Sequence, residues 1–237
     1  MHNHQQLSNA DSKNYWKSLL PSLSLKLLLL SALFLLALFA FAFIAHEAVL
    51  EKENLFDREV FELLTVYSSA EMVSLMASIS FFGSSSFLFP AYAIIVAFFL
   101  FKKQVRTSIN ITVIALSSTA MSHLLKRIFR RERPELPLID SLSTYSFPSG
   151  HSLSSFIFSA ILIHLIWKTK LQKAWKWVGS ILLLLFSLTI GLSRIILKLH
   201  FPSDVVAGFC LGLIWVLLAF WLLKRIEKKT ESQPRQA

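Results

Sequence analysis

The chain has 237 residues, 54% of them hydrophobic and only 16% charged, with a formal net charge of +10. Its length suits one domain, but that composition excludes a soluble one and indicates a polytopic membrane protein. The cations do not point to nucleic acid, because Lys and Arg stand in short clusters between apolar runs, a pattern of membrane topology, and the single Cys210 excludes a disulfide framework or a cysteine metal site and reads as a small core residue.

Residues 1–26 are polar, with Lys13, Lys17 and Lys26 ahead of the first apolar run and an interfacial segment around Tyr15 and Trp16, so they read as a cytoplasmic tail. Leu27 to Ala45 then gives 19 uncharged residues, enough to span a bilayer. Ala40-Phe41-Ala42 has the form of a signal-peptide cleavage site, but the run exceeds the apolar core of about 7–15 residues that such peptides carry, which favours a span. Between His46 and Glu71 acidic residues dominate: Glu47, Glu51, Glu53, Asp57, Glu59, Glu62 and Glu71 stand against Lys52 and Arg58. This segment is expected outside. Leu55, Phe56, Val60, Phe61, Leu63 and Leu64 recur at helical spacing, which suggests an amphipathic surface helix, and it reads as a solvated connector in preference to an element that admits lipid.

Met72 to Phe101 is uncharged but interrupted at Gly83-Ser84-Ser85-Ser86, so the pattern predicts a short helix, a bend, and a span from about Phe87 to Phe101. Lys102, Lys103 and Arg106 mark a cytoplasmic turn, and Thr107 to Leu125 returns across the membrane. The following loop is basic, with Arg127, Arg130, Arg131 and Arg133, and by charge alone it belongs inside. Parity decides otherwise. Lys168, Lys170, Lys173 and Lys176 follow the run His151 to Trp167, and Lys224, Arg225, Lys228 and Lys229 follow Val205 to Leu223. With the amino terminus these clusters are placed inside, Val178 to Ser193 crosses outward, and the basic loop lies on the external face. Thr230 to Ala237 reads as a disordered polar tail. The sequence therefore divides into residues 1–70 (tail, first span and acidic segment), a core over 71–224 and a carboxy-terminal tail over 225–237.

Charged and polar residues recur at the external edges of these runs, where an unpaired charge is costly. They are Lys126, Arg133-Pro134, the tetrad Pro148-Ser149-Gly150-His151, Ser193-Arg194, His200 and Asp204. Lys126, Arg133 and Arg194 supply fixed donors for a phosphate ester. Ser149 and Gly150 precede an apolar helical pattern whose N-terminus offers free N–H groups to an anion. His200 with Asp204 four residues on suits a nucleophilic imidazole oriented by a carboxylate, which leaves His151 as the acid. Taken singly, Lys126, Arg133 and Arg194 suit snorkelling at a membrane edge, Asp204 a helix N-terminal charge behind Pro202, and Ser149 a helix cap. Those separate roles do not explain why all the residues fall on one side of the membrane. His123 and His164 read as packing residues. Asp204 is the sole carboxylate of the set, and Glu132, Glu135 and Asp140 lack ligand spacing, so neither metal nor other cofactor is expected.

Lys126 with six residues before Arg133-Pro134, the tetrad Pro148 to His151, and Ser193-Arg194 followed by His200 and Asp204 resemble the three signature motifs of the type 2 phosphatidic acid phosphatase superfamily. All three match in the family's order, and the resemblance covers about the middle half of the chain. It implies an all-α membrane protein, a bundle of six spanning helices, and metal-independent dephosphorylation of a lipid phosphate or diphosphate through a phosphohistidine on His200. Asp204 would orient that histidine and His151 would protonate the leaving oxygen. Lys126, Arg133, Ser149, Gly150 and Arg194 would hold the phosphoryl group. The substrate stays open among phosphatidic acid, phosphatidylglycerol phosphate, undecaprenyl diphosphate and the lipid A phosphates, as does transfer to another lipid in place of hydrolysis. A lipid-binding or transport protein would explain the helices but not the His200 and Asp204 pair. No nucleic acid and no obligate protein partner is expected, and the topology fits a multi-pass protein of a bacterial inner membrane with both termini cytoplasmic.

Overall fold

The structure is a computed structural model that describes residues 25–50, 55–67, 69–140 and 144–231. The expectations for residues 1–24 (Lys13, Lys17, Tyr15 and Trp16 among them), for Glu51, Lys52 and Glu53, and for residues 232–237 lie outside the described residues. The described residues form helices and no strands: α1 (Leu25–Ala45), α2 (Leu55–Leu64), α3 (Ala70–Phe81), α4 (Ser85–Phe101), α5 (Val105–Phe129), α6 (Gly150–Lys168), α7 (Lys173–Ile196) and α8 (Pro202–Glu231). Short π and 3₁₀ turns follow α1 and α2. The described residues fall into two units, one of residues 25–36 and one from residue 37 onward. In the first, residues 25–36 are helical and leucine-rich, with Leu25 and Leu29 exposed. The packing and the site described below concern the second.

Among the described residues six segments are long and apolar enough to cross a membrane: Leu27–Val49, Ala70–Phe101, Val105–Phe129, Gly150–Lys168, Lys173–Ile196 and Pro202–Ile226. Large side chains on them, such as Phe39, Ile94, Leu182 and Leu185, point outward and are more than half exposed. An apolar surface of that kind is a liability in water and the ordinary condition in lipid. The chain is thus an all-α, multi-pass membrane protein.

The predicted break in the second apolar run is present: Phe82 to Ser84 separate α3, capped by the Ser69 hydroxyl, from α4. Gly83 is required there, since a Cβ at that position would stand 2.6 Å from Ile190 Cγ2 and 3.1 Å from His151 Cδ2. Helix ends differ from the hydropathy boundaries because charged residues extend helices past the apolar run. Thus α5 continues through Lys126 to Phe129, α7 begins at Lys173, and α8 runs to Glu231, beyond the Thr230 at which the sequence suggests a tail.

The core sits where α5, α6 and α8 meet, around Ile111, Ile114, Leu153, Ile157, Ile161 and Leu211. Helices pack closely through small residues, the usual solution where lipid supplies no hydrophobic drive between helices. A Cβ at Gly208 of α8 would fall 2.7 Å from the Ser149 carbonyl, and one at Gly212 would fall 2.9 Å from Phe156 Cδ1. Between α6 and α7, Ser155 and Ser187 hydroxyls lie 3.3 Å apart and the Ser159 hydroxyl donates to the Leu183 carbonyl at 3.0 Å. Each such bond stabilises the bundle by about 0.6 kcal/mol. A second cluster of Met76, Ile196, Leu197 and Leu199 fastens α3 to the end of α7, and this fixes the turn that carries His200.

Candidate active site

All eight residues singled out in the sequence stand at one end of the helices. Lys126 is in the last turn of α5, which ends at Arg130 in a left-handed conformation (φ 50°). The loop after it carries Arg133. Ser149 caps α6, and Gly150 and His151 begin it. Arg194 lies in the last turn of α7, and its carbonyl accepts from the N–H groups of Leu199 (3.0 Å) and His200 (3.2 Å), so the turn bearing His200 folds back on the helix end. Asp204 is in the first turn of α8, where its carboxylate also accepts from the Phe201 N–H at 3.0 Å.

His200 is 2% exposed and held on both ring nitrogens. Nδ1 lies 3.3 Å from Asp204 Oδ2, and Nε2 lies 3.4 Å from Arg133 Nη1. A guanidinium only donates, so Nε2 is the acceptor and the ring proton sits on Nδ1, facing the carboxylate. Burial, and then the charges of Lys126, Arg194 and Arg133, hold this imidazole well below the usual histidine range. The result is a neutral imidazole with its lone pair on Nε2 among three cations.

Those cations share one property. Among the described residues, none of Lys126, Arg133 and Arg194 lies within 4.0 Å of a carboxylate. Lys126 Nζ donates to the Tyr145 and Ser146 carbonyls at 2.6 and 3.0 Å, and its Cε lies 3.9 Å from where a Cβ would stand on Gly150. Arg133 donates to the Leu199 carbonyl at 2.6 Å and to the carbonyl and hydroxyl of Thr144 at 2.8 and 3.0 Å. Arg194, 6% exposed, donates from Nη1 to the Ser80 hydroxyl, while its buried Nε has no partner among the described residues. Neutral acceptors position these charges, an arrangement suited to an anion.

Ser149, expected in a phosphate cradle, also takes part in helix packing. It is fully buried, its N–H donates to the Asp204 carbonyl at 3.0 Å, and its hydroxyl accepts from the Ser152 N–H (3.4 Å) and hydroxyl (2.9 Å). It therefore joins α6 to α8, and the first turn of α6 at Gly150 is left to face Lys126. His123 is exposed instead of packed, whereas His164 stacks on Phe220 with 4.6 Å between ring centroids, in keeping with its expected packing role.

The sequence reading missed Asp57, Arg131 and Ser203. Arg131 donates to Asp204 Oδ1 at 2.7 Å, to Asp57 Oδ2 at 2.7 Å and to the Ser203 hydroxyl at 2.8 Å, while Asp57 accepts from the Ser203 N–H and hydroxyl at 2.8 and 2.7 Å. Asp57 is 1% exposed, so the acidic segment is not a simple solvated connector at this residue. No periodicity marks Asp57 apart from its acidic neighbours, and Arg131 is hidden among the other arginines of its loop. No three His, Cys, Asp or Glu side chains among the described residues are grouped to hold a metal.

Beside Arg133 opens a cavity of about 740 Å³. Arg130, Arg131, Arg133 and Lys198 supply cations to its wall against the carboxylates of Glu132 and Glu135, and Val49, Phe61 and Phe129 supply apolar surface. Such a lining fits an anionic headgroup joined to a hydrocarbon tail.

The profile of the PAP2 superfamily matches residues 107–228. Phosphatidylglycerophosphatase B of Bacillus subtilis is 30% identical over 155 residues, 65% of this chain and 74% of that protein. An undecaprenyl-diphosphatase of Sulfolobus acidocaldarius is 26% identical over 163 residues, 66% and 73% of the two chains. The crystal structure of a transmembrane PAP2-type phosphatidylglycerolphosphate phosphatase from Bacillus subtilis superposes with a TM-score of 0.69 at 27% identity, covering 88% of this chain and 98% of that one. The match spans every motif that meets at the His200 end of the helices, and this chain belongs to the PAP2 superfamily.

Proposed function

We propose that the protein is a metal-independent phosphatase of membrane lipid phosphates or diphosphates that works through a phosphohistidine on His200. The observation that carries this is the neutral His200 ring, with Asp204 at Nδ1 and an unprotonated Nε2 beside Arg133, in a site whose cations form no ion pair within 4.0 Å among the described residues. Lys126, Arg133, Arg194 and the first turn of α6 at Gly150 bind the phosphoryl oxygens, and their hold strengthens as charge builds in the transition state. His200 Nε2 attacks phosphorus, a P–N bond forms, the P–O bond to the lipid breaks, and His151 gives its proton to the leaving oxygen. Asp204 holds the Nδ1 proton and stabilises the positive charge that develops on the ring. In the second half, water attacks the phosphohistidine, His151 takes a proton from it, and inorganic phosphate leaves with His200 regenerated.

The cavity beside Arg133 suits the headgroup and the first methylenes of the substrate, while the tails remain in the bilayer. Phosphatidylglycerol phosphate and undecaprenyl diphosphate are favoured by the names of the relatives, and phosphatidic acid has the same chemistry. The site faces outward from a bacterial plasma membrane, with both termini cytoplasmic, as the lysine and arginine clusters imply. The test is a panel of phosphatidic acid, phosphatidylglycerol phosphate and undecaprenyl diphosphate incubated with purified protein in excess EDTA. Phosphate release from at least one of them is expected. Loss of activity in EDTA that magnesium or zinc restores, or release from none of the three, contradicts the proposal.

A further inference from the structure

The carboxylate that orients His200 is itself held in place from a distance in sequence. Arg131 lies between two carboxylates, with Nη1 on Asp204 Oδ1 and Nη2 on Asp57 Oδ2, both at 2.7 Å. Its side chain is 9% exposed, and those of Asp204 and Asp57 are 0% and 1%. Ser203, the residue before Asp204, gives its N–H and hydroxyl to Asp57, and its oxygen accepts from the same guanidinium. The guanidinium also lies over the Phe201 ring, 4.0 Å from its centroid, and Phe61 of α2 packs on that ring with 5.9 Å between centroids. The short helix α2 therefore grips both sides of the segment His200 to Asp204, through Phe61 at one residue and through Asp57 at the other.

A guanidinium is planar and permanently charged, so bonding along two of its edges fixes the distance and relative tilt of two carboxylates. Its charge is also shared. With Asp57 present, Arg131 satisfies one Asp204 oxygen and leaves the other facing the His200 Nδ1 proton. Without Asp57, the whole charge falls on Asp204, which then accepts less strongly from His200. A buried ion pair is a poor means of fastening a helix, because apolar side chains of the same size do so as well or better. Phe61 on Phe201 already supplies such a contact. We propose that Asp57 and Arg131 are positioning residues of the phosphoryl-transfer site: through them α2 sets the orientation of Asp204 and so the aim of His200 Nε2. This rests on His200 acting as the nucleophile.

The experiment compares Asp57→Asn, Asp204→Asn, the double variant, Arg131→Lys and His200→Ala as full-length proteins in detergent. The substrate is the one turned over fastest among phosphatidic acid, phosphatidylglycerol phosphate and undecaprenyl diphosphate. Asp57→Asn keeps the shape and an acceptor for Ser203, and kcat is expected to fall by about 10–100-fold with KM within about threefold, as for residues that orient a ligating or reacting group. Adding Asp57→Asn to Asp204→Asn should then cost less than about threefold more, because both act through one imidazole. If Asp57→Asn does not survive extraction, Arg131→Lys, which keeps the charge but loses the fork, should show the same kcat loss at unchanged KM. Wild-type kcat in Asp57→Asn or Arg131→Lys, a change confined to KM, or a full multiplicative loss in the double variant overturns the inference. Turnover retained by His200→Ala overturns the underlying assignment instead, so the two failures are told apart.

Discussion

At the scale of residues, the two histidines differ in what surrounds them. His200 has a defined tautomer, because Arg133 can only donate to Nε2 and Asp204 can only accept from Nδ1. His151 stands in the first turn of α6 against Gly83, on the other side of Gly150 from Ser149. If His200 is the nucleophile, His200→Ala abolishes turnover of every substrate, however good its leaving group. If His151 is the acid, its loss matters in proportion to the basicity of the leaving oxygen, with about 10²–10⁴-fold at stake for an alkoxide. His151→Ala is expected to be severely impaired on an alkyl lipid phosphate and much less so on an aryl phosphate or a diphosphate. Rates measured across those leaving groups, with melting in detergent as the control for folding, check this. Equal losses across the series contradict the role given to His151.

At the scale of elements, hydropathy and glycine were informative, and charge pairing was not. The break at Gly83 and all six apolar segments were legible because lipid imposes length and composition on a span, and a glycine-serine run offers a helix nothing to pack. The helix ends were not legible, since Lys126 and Lys173 continue their helices into the polar boundary, where hydropathy carries no signal. The site was legible as three motifs because each stands at a helix end: a last turn for Lys126 and Arg194, a first turn for Gly150, His151 and Asp204. Ser149 shows a second role that the motif did not reveal, since its N–H joins α6 to α8 and its hydroxyl caps the first turn of α6. Asp57 shows the limit of that reading. Its partner Arg131 is 74 residues away, and a pair so distant leaves no periodicity in a single sequence.

At the scale of the molecule, the proposed function brings a lipid headgroup to the charged end of the helices. The lysine and arginine clusters of the other loops are the argument for the proposed external face, and a thiol-labelling pair tests it. On a Cys210→Ser background, cysteine at exposed Glu135 is expected to react with an impermeant reagent in intact cells, and cysteine at Lys170 only after lysis. The reverse pattern would place the site on the cytoplasmic side. The central claim is chemical, and trapping the covalent intermediate tests it most directly. The fastest substrate of the lipid panel, carrying ³²P in its scissile phosphate, is mixed with excess enzyme and quenched in alkali, in which a phosphohistidine survives. Label is expected on the wild-type chain, lost on treatment with acid and absent from His200→Ala. Phosphate release with no labelled chain at any time, or label that persists in His200→Ala, would contradict the account.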